Sequence, residues 1–211
     1  MARTSAGAVT GVRARGTDGV DVHLLLGEER MSPGEVPAAG AGVLTGEVTA
    51  VPGSRLPLGA AGPGLRLERA RDVEPVPPSV ALSTVEFTLH ADHDLLARPA
   101  LFCLTTAADG LPGHFPGIGP APLGLGDGRQ SVTATFGARG FRAAPVTPVD
   151  VAWRDMPPPE PAYETLTAYA VVDRPFASLA VHRETRLVLA AGWVTDPKPC
   201  REDENARTQA I

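Results

Sequence analysis

Alternation of apolar and polar positions is strongest over Val80 to His90, VALSTVEFTLH. Val85, Phe87 and Leu89 fall on one face there, and Thr84, Glu86, Thr88 and His90 on the other, so a period of two predicts a β-strand. Val20 to Gly27, VDVHLLLG, reads as a strand with a buried end, and Val9 to Arg15 alternates more weakly before the turn residues Gly16-Thr17-Asp18-Gly19. Leu65 and Leu67 mark a short strand beyond a Gly/Pro-rich loop at 51–64. Gln130 to Gly137 places Val132, Ala134 and Phe136 on one face, and Tyr163 to Val172 alternates again. Phe176 to His182 and Leu187 to Val194 form a hairpin around Arg183-Glu184-Thr185-Arg186. Both of its strands are nearly all apolar, so cover on both faces is expected, with Phe176 and Trp193 as aromatic anchors. Helical signals are fewer. Ser32 as N-cap, Pro33 at the first position and Glu35 at the capping-box position open a helix that ends near Gly46. Asp92 or Asp94 is placed to cap the apolar segment DLLARPALFCL, which Pro99 should kink or delay. The expected fold class is α+β, β-dominated.

Composition narrows this picture. At 211 residues a single domain is expected, residues 1–197, followed by a polar tail over 198–211 with the composition of a disordered segment. Apolar residues make up 43 %, enough for a core, but aromatics only 5 %, so Leu, Val and Ala must fill it. The 23 glycines and 22 prolines favour short elements and many turns. A net charge of −5 without a basic stripe argues against a nucleic-acid partner. No apolar run reaches the length of a membrane span, and the N-terminus lacks the apolar core of a signal peptide. The two cysteines, Cys103 and Cys200, do not make a disulfide framework. A cytoplasmic location is expected, or an extracellular one if the true start lies upstream.

Candidate chemistry is sparse. The cluster His90, Asp92, His93 and Asp94 has metal-ligand residue types, but no second pair with recognisable spacing, so helix capping is preferred and no metal or other cofactor is expected. His23 reads as a core or sheet-face histidine and Cys103, between Phe102 and Leu104, as a small buried hydrophobe. His114 lies in the Gly/Pro-rich stretch 109–128, whose glycine spacing fits neither a phosphate loop nor a dinucleotide fingerprint. The remaining feature is Gly140 to Pro161, GFRAAPVTPVDVAWRDMPPPEP. It starts as an extended chain, is spoiled as an interior strand by Pro145 and Pro148, and lies between two predicted strands. Long segments of this kind are commonly functional or disordered.

The C-terminal stretch DRPFASLAVHRETRLVLAAGWVTDP, residues 173–197, resembles the C-terminal signature of serpins. The matching positions are Asp173, Pro175, Phe176, the hairpin, Gly192, Val194, Asp196 and Pro197. Upstream, in family order, Val85 to Leu104 looks like the serpin strand and the helix after it. His114-Phe115-Pro116-Gly117-Ile118 looks like the F-x-G-I segment, and Gln130 to Ala144 like the strand and hinge before the reactive-centre loop. The composition is closest to the actinobacterial members. The resemblance covers most of residues 20–197 and corresponds to the C-terminal half of a serpin. It implies parts of the large sheet, a sheet holding the buried C-terminal hairpin, one or two helices and an exposed bait loop over about 140–161. It further implies a serine-protease inhibitor with no catalytic group of its own.

On this resemblance Gly140 is the hinge glycine, with Phe141, Ala143, Ala144, Pro145 and Pro148 in the inserting segment. Family spacing puts the reactive bond at Arg154–Asp155; Met156 is a poorer candidate because Pro157 follows it. Arginine before the bond implies a trypsin-like serine protease as partner, and a resemblance to the C-terminal half alone implies a separate N-terminal serpin half as a second. The alternative within the family is a non-inhibitory binding or structural protein, or a truncated fragment, whose loop cannot insert because of Pro145 and Pro148. Outside the family stands a small β-rich enzyme using His90, His93 and His114 at a metal.

Overall fold

The computed structural model describes residues 1–119, 121–137 and 162–197. The fold is α+β and β-dominated: eleven strands and two α-helices among the described residues. Two compact units divide it. The first comprises residues 1–87 and 135–211, the second 88–134.

The first unit is built on a five-stranded antiparallel sheet. Its strands are β1 (Ala2–Arg3), β2 (Ala8–Arg15), β3 (Val20–Gly27), β10 (Phe176–His182) and β11 (Val188–Val194), in the spatial order β1-β2-β3-β10-β11. The turn at 16–19 joins β2 to β3 as the sequence predicts, with Gly19 at φ 86°. Strand β10 lies between β3 and β11, pairing Leu179 with His23 on one side and with Ala191 on the other. Helix α1 (Glu35–Thr45) covers one face of this sheet, and Val36 and Ala39 share a core there with Val9, Leu25, Met31, Ala177, Leu179 and Val181. The expected Ser32–Glu35 bonds form, the Ser32 N–H donating to Glu35 Oε2 at 2.7 Å and the Glu35 N–H to Ser32 Oγ at 3.4 Å, but they close a turn ahead of the helix: Gly34, not Ser32, is the N-cap, and Glu35, not Pro33, is the first helical residue. Gly46 closes the helix in the left-handed region, φ 85°.

A second sheet has the order β4-β5-β9-β6, with β4 (Gly59–Gly62), β5 (Leu65–Asp72), β6 (Ser79–Thr84) and β9 (Tyr163–Val172). Strand β9 pairs antiparallel with β5 and parallel with β6. Leu67, Ala61 and Ala168 form its buried centre. The stretch read as loop over 51–64 therefore contains a strand.

Strands β7 (Phe87–Asp94) and β8 (Arg129–Phe136) form a two-stranded sheet, and most of both, with the turns between them, makes up the second unit. Val132, Ala134 and Phe136 are the less exposed positions of β8, as the alternation predicts.

Four further expectations are corrected. The single strand over 80–90 is two strands in different sheets, broken at Val85–Glu86: β6 joins β9 while β7 joins β8. The period of two runs through the break, which hides it. No helix follows Asp94. Its carboxylate accepts from the Leu96 N–H at 2.9 Å as a cap would, but residues 95–104 then form successive turns, and only Thr105–Ala108 (α2) is helical. Pro99 lacks the N–H a helix needs there, and its carbonyl accepts from the Leu104 N–H instead. Cys103 is exposed rather than buried, at φ 56° in one of these turns. Finally, β11 is covered far less than β10. It is the edge of its sheet, and Leu187 and Leu189 are 61 % and 48 % exposed.

A buried charge pins the sheet. Asp21 on β3 is 3 % exposed, and Arg183 beside β10 donates to its Oδ1 from Nε at 3.0 Å and Nη2 at 2.6 Å. The same guanidinium reaches the Gly16 carbonyl, so one side chain joins the β2–β3 turn to the C-terminal hairpin. These hydrogen bonds hold the Asp21 carboxyl below its usual range, against the opposing pull of burial and with help from the charges of Arg183 and Arg13. A carboxyl depressed in the folded state contributes stability that is complete above its unfolded pKa, about 3.9, and is lost as pH falls through the folded value. Asp21→Asn should lower the urea midpoint at pH 7. It should also lose less of that midpoint than the wild type on acidification below about pH 4. Urea titrations of both proteins across that range measure the difference.

Candidate functional site

Gly140, Phe141, Ala143, Ala144, Pro145, Pro148, Arg154 and Asp155 all lie outside the described residues, as do Met156, Cys200 and the tail. What the structure describes is the pair of roots from which residues 138–161 depart.

The upstream root is the end of β8. Phe136 stacks on Phe87, ring centroids 5.2 Å apart at 17°, and Phe87 in turn meets Phe176 edge-on at 5.3 Å and 78°. Such aromatic pairs contribute about 0.5–1.5 kcal/mol each beyond the area they bury. Phe176 is fully buried and lies opposite Val194 in the hairpin ladder. Three of the chain's six phenylalanines thus run in a line from the C-terminal hairpin to the residue preceding Gly137. Against this root lies a cavity of about 240 Å³ whose lining includes Arg15, Asp18, Val22, Phe136 and Gly137.

The downstream root is the start of β9. The Ala162 N–H donates to the Asp72 carbonyl at 3.0 Å, and β9 is then bonded along both edges. Glu164 meets Arg69 at 3.1 Å and Arg71 at 3.9 Å. Ser79 and Thr167 join hydroxyls at 3.3 Å across to β6.

The signature residues gather around the hairpin. Phe176 and Val194 face each other, Gly192 pairs with the buried Ser178, and Asp173, Pro175 and Asp196 are exposed at the strand ends with Pro197 half-buried. Arg174, between Asp173 and Pro175, donates to the Gly27 carbonyl at 2.7 Å and fastens the entry of β10 to the end of β3.

The histidines do not assemble a site. His90 bridges Thr133 Oγ1 at 3.0 Å and Asp92 at 3.2 Å, and Ser131 donates to the same carboxylate, forming an exposed ladder across β7 and β8. The Ser131 hydroxyl holds the Asp92 carboxyl below its ordinary value. His93 is exposed and His114 lies 2.9 Å from Asp109. Among the described residues no three His, Cys, Asp or Glu side chains are placed to hold a metal ion. His23 is a sheet-face residue, as expected, its pKa lowered by burial and then by Arg13.

Sequence reasoning placed Phe87 and Phe136 on the apolar faces of their strands and Phe176 in the core, but not against one another. Each stands at the end of its strand, the only local hint that they meet.

Comparison with protein-family models finds no match, and neither does a search of curated proteins.

Phe176→Ala should cost about 3–5 kcal/mol in urea unfolding. Phe136→Ala, at a half-buried position, should cost less. A double-mutant cycle between Phe87 and Phe136 should return a coupling of about 0.5–1.5 kcal/mol.

Proposed function

We propose that this chain is a serpin-type protein whose residues 140–161 serve as bait for a trypsin-like serine protease, with Arg154–Asp155 as the bond offered. The observation that carries this reading is the aromatic line Phe136–Phe87–Phe176. It couples the strand leading into the bait to the hairpin that carries the family's C-terminal signature. The order of signature segments along the chain supports the same reading. The bait is then tied at both ends by strands, β8 before it and β9 after it.

The chemistry belongs to the protease. Its serine attacks the Arg154 carbonyl, the Arg154–Asp155 peptide bond breaks, the new amine leaves with Asp155, and Arg154 stays as the acyl group. A trapping inhibitor then inserts the upstream piece as a new sheet strand before water reaches the ester. In this chain that piece carries Pro145 and Pro148. Neither has an N–H, and their odd separation aims the missing donors at opposite neighbours, so both ladders lose a bond. The prolines favour the second reading within the family, in which the bait is cut but does not insert. A separate first half of the fold, supplying flanking strands, is the further partner that trapping would require.

Trypsin at substoichiometric amounts should cut the chain first between Arg154 and Asp155, ahead of the other arginine of the segment, Arg142, as read by intact mass. Arg154→Ala should remove that cut. Resistance of this bond under conditions that cleave an unfolded control defeats the bait reading. A protease–chain adduct stable in denaturing gels would establish trapping; its appearance only in Pro145→Ala/Pro148→Ala would assign the block to the prolines.

A further inference from the structure

Sheets whose outer strands expose unpaired N–H and C=O groups invite other strands, and natural chains blunt such edges by shortness, bulges or charge. Most edges here are blunted. Strand β1 spans two residues, and β4 spans four with a register shift between Ala60 and Gly62. In β11 the register slips at Ala180/Val181, leaving Leu189 as an extra residue that bulges the edge. The pair β7–β8 carries His90, Asp92, His93, Asp94 and Arg129. Strand β6 has none of these devices. Ser79–Thr84, SVALST, is uncharged and stays in register with β9 for six consecutive pairs. Its other edge has no strand partner among the described residues. Val80 is 61 % exposed.

We infer that β6 is a self-association edge, pairing antiparallel with β6 of a second copy about a two-fold axis at Ala81. Such an axis, normal to the sheet, keeps each face on its own side, so only residues of one face can oppose one another. With Ala81 opposite its own copy, Val80 meets Leu82 and Ser79 meets Ser83. The most exposed apolar side chain of the strand is covered by another apolar one, the serine hydroxyls can bond each other, and no charge meets its like. A second copy is favoured over an unrelated strand because SVALST satisfies all three pairings with itself. The two-fold uses each edge once and closes at a dimer. This inference does not depend on the bait reading.

Sedimentation of the full chain across a concentration series should show a monomer–dimer equilibrium. Ala81→Lys and Ala81→Glu, each placing like charges opposite one another, should weaken the dimer at least about fivefold while leaving circular dichroism unchanged. An equimolar mixture of the two variants should restore it. Val188→Lys, on the bulged β11 edge, should leave it intact. A wild-type chain monomeric at every concentration, open-ended oligomers, loss of the dimer in Val188→Lys, or a mixture that fails to rescue each overturns the inference.

Discussion

Strand β10 has almost no surface left for water. It is hydrogen-bonded along one edge to β3 and along the other to β11. Ala177, Leu179 and Val181 pack under α1 on one face, and Phe176 is enclosed at the strand's start, against Phe87. A strand buried this way tolerates no slip, because moving its register by one residue would exchange every side chain between faces. Two contacts fix that register from opposite ends: Arg183 on the buried Asp21, and Arg174 on the Gly27 carbonyl. Both arginines bridge β10 to the β2–β3 hairpin, more than a hundred residues earlier in the chain.

The roots of the 138–161 segment inherit their position from this strand. Phe136 stacks on Phe87, and Phe87 meets Phe176 edge-on. The downstream root is anchored differently, by β-ladders on both sides of β9 and a cluster of exposed ion pairs around Glu164. Exposed pairs of this kind contribute little individually, so the ladder is the main restraint there and ring packing the main restraint at the other root.

Much of the secondary structure was legible because it rests on local chemistry. The turn at 16–19 and the C-terminal hairpin formed where residue type and period placed them, and the Ser32–Glu35 bonds formed just ahead of the helix they were expected to cap. The errors came where local signals were silent about neighbours. The alternation of 80–90 is continuous, yet β6 and β7 belong to different sheets, a division set by β9 and β8 rather than by residues 80–90 themselves. The apolar run LLARPALFCL has helix-like composition, but one proline at position 99 outweighs it. Leu187 and Leu189 are as apolar as β10, and only their place at a sheet edge exposes them. For the site, the candidate residues could be named from sequence, whereas the line of three phenylalanines is a product of long-range pairing.

Every sheet of the first unit is closed by the last third of the chain. Strand β3 waits for β10, and both β5 and β6 wait for β9, across separations of roughly ninety to one hundred and sixty residues. Contacts this distant are slow to form, since long loops must be closed before any pairing rewards it. On a ribosome the β2–β3 hairpin and α1 would emerge with their central neighbour still unsynthesised. The apolar face that β10 later covers would be open throughout elongation. The topology therefore implies folding that completes only once β9 and β10 have emerged, with a period before that in which chaperones have a surface to bind.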